Sequence, residues 1–165
     1  MRASRAMKFP RTIRLDESDS QVYENPADPG EWAVPGTFAF LDTDPAALSA
    51  KQRQAFGHGF LGTASFGWST LVQVTEISDQ EYQLVIDRLA AHLIEHHGAP
   101  DIAAALPAAR EEASFAASIC DHAPHTLLML ERELGEEGIV ERFKVVRPNA
   151  ADHDQIKLWK FEEGE

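Results

Sequence analysis

A single cysteine, Cys120, in 165 residues rules out an intramolecular disulfide framework and any cysteine-rich metal ribbon. Long apolar runs are missing too. The longest, Ile102 to Leu106 and Leu127 to Leu130, fall far short of the ~20 residues that cross a bilayer, so no membrane-spanning segment is expected. No charged-then-apolar leader opens the chain, and a reducing cytoplasm is the expected compartment. Positive charge is scarce, with 15 Lys and Arg against 27 Asp and Glu and a net charge of −12 at pH 7. Arg2, Arg5, Lys8, Arg11 and Arg14 crowd into the first 15 residues, which hold no acid, leaving ten basic against 27 acidic residues (−17) in the rest. Such a body repels phosphate backbones, so nucleic acid and anionic membranes are disfavoured and a protein partner with a basic surface is favoured. The Arg-rich start would suit an organelle transit helix, but Pro10 interrupts it, and Met7 competes with Met1 as the first residue.

The hydrophobic share of 44% and this length fit one domain that buries roughly two thirds of its unfolded surface. We expect a disordered extension over 1–6, one domain over 7–161 and a frayed tail over 162–165. There is no internal repeat or low-complexity segment. Alternation predicts strands over Arg11 to Leu15, Thr37 to Leu41 and Trp68 to Ile77, with a turn-rich stretch from Asp16 to Gly36 anchored by Tyr23 and Trp32. Asp44-Pro45 reads as a helix entrance, the helix running to about Phe56. Ser78 with Glu81 reads as a capping box, opening a helix that Gly98 ends. Tyr82, Val85, Ile86, Leu89, Leu93 and His96 form its core-facing stripe. Pro107 is expected to break the next helical stretch and start another, Ala108 to Asp121, with Ala109, Ala113, Ala116, Ala117 and Cys120 on its small side and Phe115 and Ile119 reaching a core. Thr126 to Leu134 and Ile139 to Arg147 read as a hairpin around a four-residue loop, Gly135 to Gly138, and Gln155 to Phe161 as a last strand. The pattern predicts a two-layer α+β domain, its mainly antiparallel sheet carrying two or three helices on one face.

The sharpest chemical spacing is His92-Leu-Ile-Glu95-His96. It matches the order H-x-x-E-H, in which histidines one turn apart bind zinc and the glutamate activates water. On that reading His92 and His96 are ligands, Glu95 the base and zinc the cofactor, with Glu111 or Glu112 the nearest third ligand. The competing reading, which we favour, has no metal and treats the imidazoles as cations decorating the negative end of a helix. Cys120, His122 and His125 form a second cluster without a known finger spacing. Cys120 on an alanine face reads as core. Gly57-His-Gly59-Phe-Leu-Gly62 has the letters of a dinucleotide loop, but a helix precedes it, so no phosphate would meet a helix N-terminus. Thr63 stands where a nucleophile elbow around Ser65 would need its first glycine. Aromatics gather near this loop, making His58, Phe60 and Trp68 the candidate ligand contacts.

The passages Lys8 to Arg14, Gly30 to Val34, Arg53 to Phe56, Gly59 to Gly62, Ser65 to Gly67 and Ala108 to Glu112 resemble a family of short bacterial proteins of unknown function. The resemblance covers most of the chain from Met7 to the final strand. It implies a bacterial cytosolic single-domain protein and transfers no activity, substrate or catalytic residue. From the residues themselves we expect a non-catalytic accessory or adaptor protein that binds a partner through an acidic surface or an exposed sheet edge. The zinc-dependent hydrolase and a small-ligand protein using the Gly57 to Trp68 loop are the alternatives. Self-association is left open.

Overall fold

A computed structural model describes residues 7–14, 21–41, 43–148 and 159–163. Leu15, residues 16–20, the segment 1–6, residues 155–158 and the end of the tail lie outside it, and with them the parts of the sequence reading that concern them. The strands are β1 (Lys8–Ile13), β2 (Ala33–Val34), β3 (Phe60–Gly62), β4 (Trp68–Ser69), β5 (Leu71–Glu76), β6 (Leu127–Gly135), β7 (Gly138–Pro148) and β8 (Trp159–Glu163). The helices are α1 (Ala50–His58), α2 (Asp79–His96) and α3 (Ile102–Ser118). An antiparallel sheet in the order β1-β5-β6-β7-β8 lies beside a smaller one, β2-β3-β4. The fold is α+β, as the pattern predicts.

Pairing in β6 and β7 puts Leu128, Leu130 and Arg132 opposite Val145, Phe143 and Glu141, so all six share one face. On that face Leu128, Leu130 and Val145 pack with Val72, Val74, Ala33, Phe60 and Cys120. A second core joins α2 and α3, where Val85, Leu89 and Ala90 meet Ala105, Ala109, Ala113 and Ala116. The four alanines are fully buried, because a methyl surface lets two helix backbones approach closely. The opposite sheet face carries cross-strand ion pairs, Lys144 to Glu131 at 3.2 Å and Arg142 to Glu133 at 3.3 Å.

Several local expectations are corrected. Thr37 to Phe40 is a 3-10 helix, not a strand; Gly36 precedes it at φ 78°, a left-handed residue that turns the chain out of β geometry. The helix from Asp44 divides into a 3-10 turn, Pro45–Ala47, and α1. Ser49 rather than Asp44 caps α1, in a full capping box with Gln52. At α2 the box is half made: Ser78 Oγ accepts from the Glu81 amide at 3.1 Å, while the Glu81 carboxylate turns to the Ser78 hydroxyl instead of its backbone. The strand from Trp68 splits at Thr70 into β4 and β5, which belong to different sheets. Pro107 lies inside an unbroken α3 that Asp101 caps at the Ala104 amide; the proline forfeits one backbone bond and the packed alanine face outweighs it. Pairing continues to Gly135 opposite Gly138, so the hairpin turn is two residues, Glu136 and Glu137. Gly98, at φ 79°, ends α2 as expected. His96 leaves the core stripe and is 61% exposed, and Phe115 is 43% exposed, in edge-to-face contact with Phe143. None of the described helices is long and apolar enough to cross a membrane.

Candidate functional site

Between β3 and β4 the chain makes a tight loop, Thr63 to Gly67, held by one buried carboxylate. Glu31 Oε1 accepts from the amides of Ala64 and Ser65, both at 2.9 Å. Its Oε2 accepts from the Asp28 amide at 2.8 Å and the Ser65 hydroxyl at 2.7 Å. Four donors converge on a group that is 9% exposed, the number a desolvated carboxylate needs. Gly62 admits this arrangement, since a Cβ there would lie 2.3 Å from Glu31 Oε1.

The loop then forces Phe66 to φ 58°, in the left-handed region, at a cost of about 1–3 kcal/mol for such a side chain. Its ring stacks on His92 with centroids 3.9 Å apart and planes 4° off parallel. His96 and His97 stand 4.9 and 5.0 Å from His92, and Phe38 meets His97 edge-on at 5.1 Å. Burial, reinforced by His97 and His96, lowers the His92 pKa to about 4, and burial with His96 also lowers that of His97. His92 is therefore a neutral, stacked ring at pH 7, not a cation attracted to the helix end. Ser65, Phe66, Arg88, His92, Glu95 and His96 line a groove of about 480 Å³.

The zinc ligands anticipated from spacing do not assemble. His92 and His96 adjoin, but Glu95 is 70% exposed and 3.7 Å from His96, and Glu112 belongs to a different cluster. Among the described residues no three His, Cys, Asp or Glu side chains gather as a metal site. His122 and His125 follow Cys120 without joining it. Cys120 is fully buried, and desolvation pushes its thiol up to about 12, Lys8 counteracting only in part. The expected ligand contacts also separate: Phe60 is fully buried against Phe143, and His58 Nδ1 lies 3.3 Å from the Leu130 carbonyl. Trp68 lines a cavity that neither of the other two enters.

A buried polar cluster is one that spacing missed. Arg132, whose side chain is fully buried, donates Nε to Glu141 at 2.9 Å and to the Thr37 hydroxyl at 3.0 Å. Its Nη1 donates to the Ala55 and Phe56 carbonyls at the end of α1, and its Nη2 to the Pro35 carbonyl. Thr37 in turn donates to Glu141. One side chain thus ties β6, β7, the 3-10 turn and α1 together. Glu112 reaches the same cluster from α3; desolvation first, then the Glu141 and Glu111 charges, raise its pKa to about 7 against the opposing pull of Arg132.

Fold and site define a two-sheet α+β domain with a self-braced aromatic groove and a buried arginine clasp. The chain belongs to the Family of unknown function (DUF6505), whose model matches residues 7–163. No curated protein and no solved structure matches it.

Proposed function

We propose that this protein is a non-catalytic accessory protein that engages a segment of a partner protein in the groove between α2 and the 63–67 loop. The observation that carries the reading is Phe66, held at φ 58° and stacked on His92, because strain maintained by surrounding structure concentrates where a surface must keep one shape for recognition. The partner segment is basic. Glu95 lines the groove with Arg88, Glu81 lines the adjoining cleft with Arg88 and Arg11, and the net charge of −12 steers a basic partner from a distance. A bacterial cytoplasmic setting belongs to this reading.

Affinity capture with the full chain from lysate, comparing wild type with Phe66→Ala and His92→Ala, tests it. A partner that is retained at low salt, lost at high salt and lost in both variants supports the groove. Equal capture by the variants overturns it.

A further inference from the structure

On the far side of Asn25 from the groove lies a separate cavity of about 290 Å³, near the lower end of the range for small-molecule pockets. Phe40, Leu48, Ala55 and Trp68 form its apolar lining, with the Phe40 and Trp68 rings 5.2 Å apart. Trp68 is held there by surrender of side chains on both sides: a Cβ on Gly59 would lie 2.8 Å from the indole and one on Gly36 3.2 Å from it. Phe40 is fixed from behind by the Arg132 guanidinium, 5.5 Å from its centroid. The aromatic floor is thus rigid before anything binds.

Two opposite charges stand on the rim, Glu24 and Lys51. Both are exposed, and neither forms an ion pair among the described residues. Gln52, the neighbouring amide, commits its side-chain carbonyl to the capping box with Ser49. Among the described residues, the polar end of an occupant therefore meets one cation and one anion above an aromatic floor. A purely apolar ligand leaves both unused, and a singly charged one satisfies one and faces the other's like charge.

We propose that this cavity binds a small zwitterion with a planar apolar side chain, of the chemical class of an aromatic amino acid, its ring lying on the floor that Phe40 and Trp68 form, its carboxylate toward Lys51 and its ammonium toward Glu24. The site is distinct from the partner groove and does not depend on it.

The test follows the Trp68 indole N–H signal of the full-length protein by NMR during titration with L-phenylalanine, 3-phenylpropionate and 2-phenylethylamine. These share a ring and differ in charge. The expected result is a saturable shift with L-phenylalanine and at least tenfold weaker binding of either singly charged congener. Lys51→Gln is expected to erase the advantage over phenylethylamine, and Glu24→Gln the advantage over phenylpropionate. Both positions are exposed, so unchanged backbone spectra confirm that the variants fold. Absence of a saturable shift with all three compounds overturns the site. Equal affinity for the three overturns its zwitterion selectivity, and a shift centred on Phe66 and His92 instead assigns the ligand to the groove.

Discussion

Replacing Glu112 by glutamine removes a carboxyl group that the fold keeps protonated near neutrality. Burial and the Glu141 carboxylate raise its pKa from 4.5 to about 7. Between those limits the folded chain binds a proton that the unfolded chain has released, so this group's contribution to stability declines as pH rises from 4.5 to about 7 and is constant above. At ~1.4 kcal/mol per unit, the loss amounts to roughly 3 kcal/mol. Glutamine mimics the protonated acid at every pH. Glu112→Gln should therefore match wild type at pH 4.5 and exceed it by roughly 3 kcal/mol at pH 8. His92 acts in the opposite sense: its lowered pKa means that stability present above 6.5 is lost as pH falls toward 4. The wild-type profile is flattened by this opposition, so the quantity to measure is the difference between variant and wild type in urea unfolding from pH 4.5 to 8.5. A difference that stays constant across this range, or a variant less stable at pH 8, would refute the reasoning.

Arg132→Met should cost about 3–5 kcal/mol in denaturant unfolding, since Glu141 and the carbonyls of Pro35, Ala55 and Phe56 lose a common donor within the fold. Gly62→Ala forces a methyl against the Glu31 carboxylate and should lower stability by about 1–3 kcal/mol; a thermal midpoint equal to wild type would count against the brace. The His92 ring should titrate by NMR near pH 4, whereas a midpoint at 6.5 would mean that it neither stacks nor lies against its histidine neighbours. Cys120, buried with its thiol pushed up to about 12, should resist Ellman's reagent at pH 8 until the protein is unfolded.

The elements with a strong period were legible in the chain. The α2 stripe, its Ser78 start and its Gly98 stop could be read because capping and amphipathic spacing are local. The alanine side of α3 was visible for the same reason, although Pro107 argued for a break that tertiary packing overrides. Thr37 to Phe40 alternates like a strand, and its 3-10 form depends on the left-handed Gly36 and on Arg132 95 residues away. In the candidate site, local spacing singled out His92 and His96 and implied an ion. What makes His92 distinctive is Phe66, from a loop whose shape depends on Glu31, and no window of sequence contains all three. Arg132 did leave a trace: it occupies the inward phase after Leu128 and Leu130, where a charged residue demands partners. Glu141 stands directly across from it and could have been paired with it by register alone.

The carboxylate of Glu31 fills a cradle of backbone amides that, in other loops, would call for a bound anion. Because the chain supplies that anion itself, the Phe66 wall of the groove is assembled before any encounter. For the partner proposed above, little conformational entropy then remains to be lost on docking, so binding should proceed at an unhindered association rate, with affinity differences among partner variants expressed in how slowly they leave.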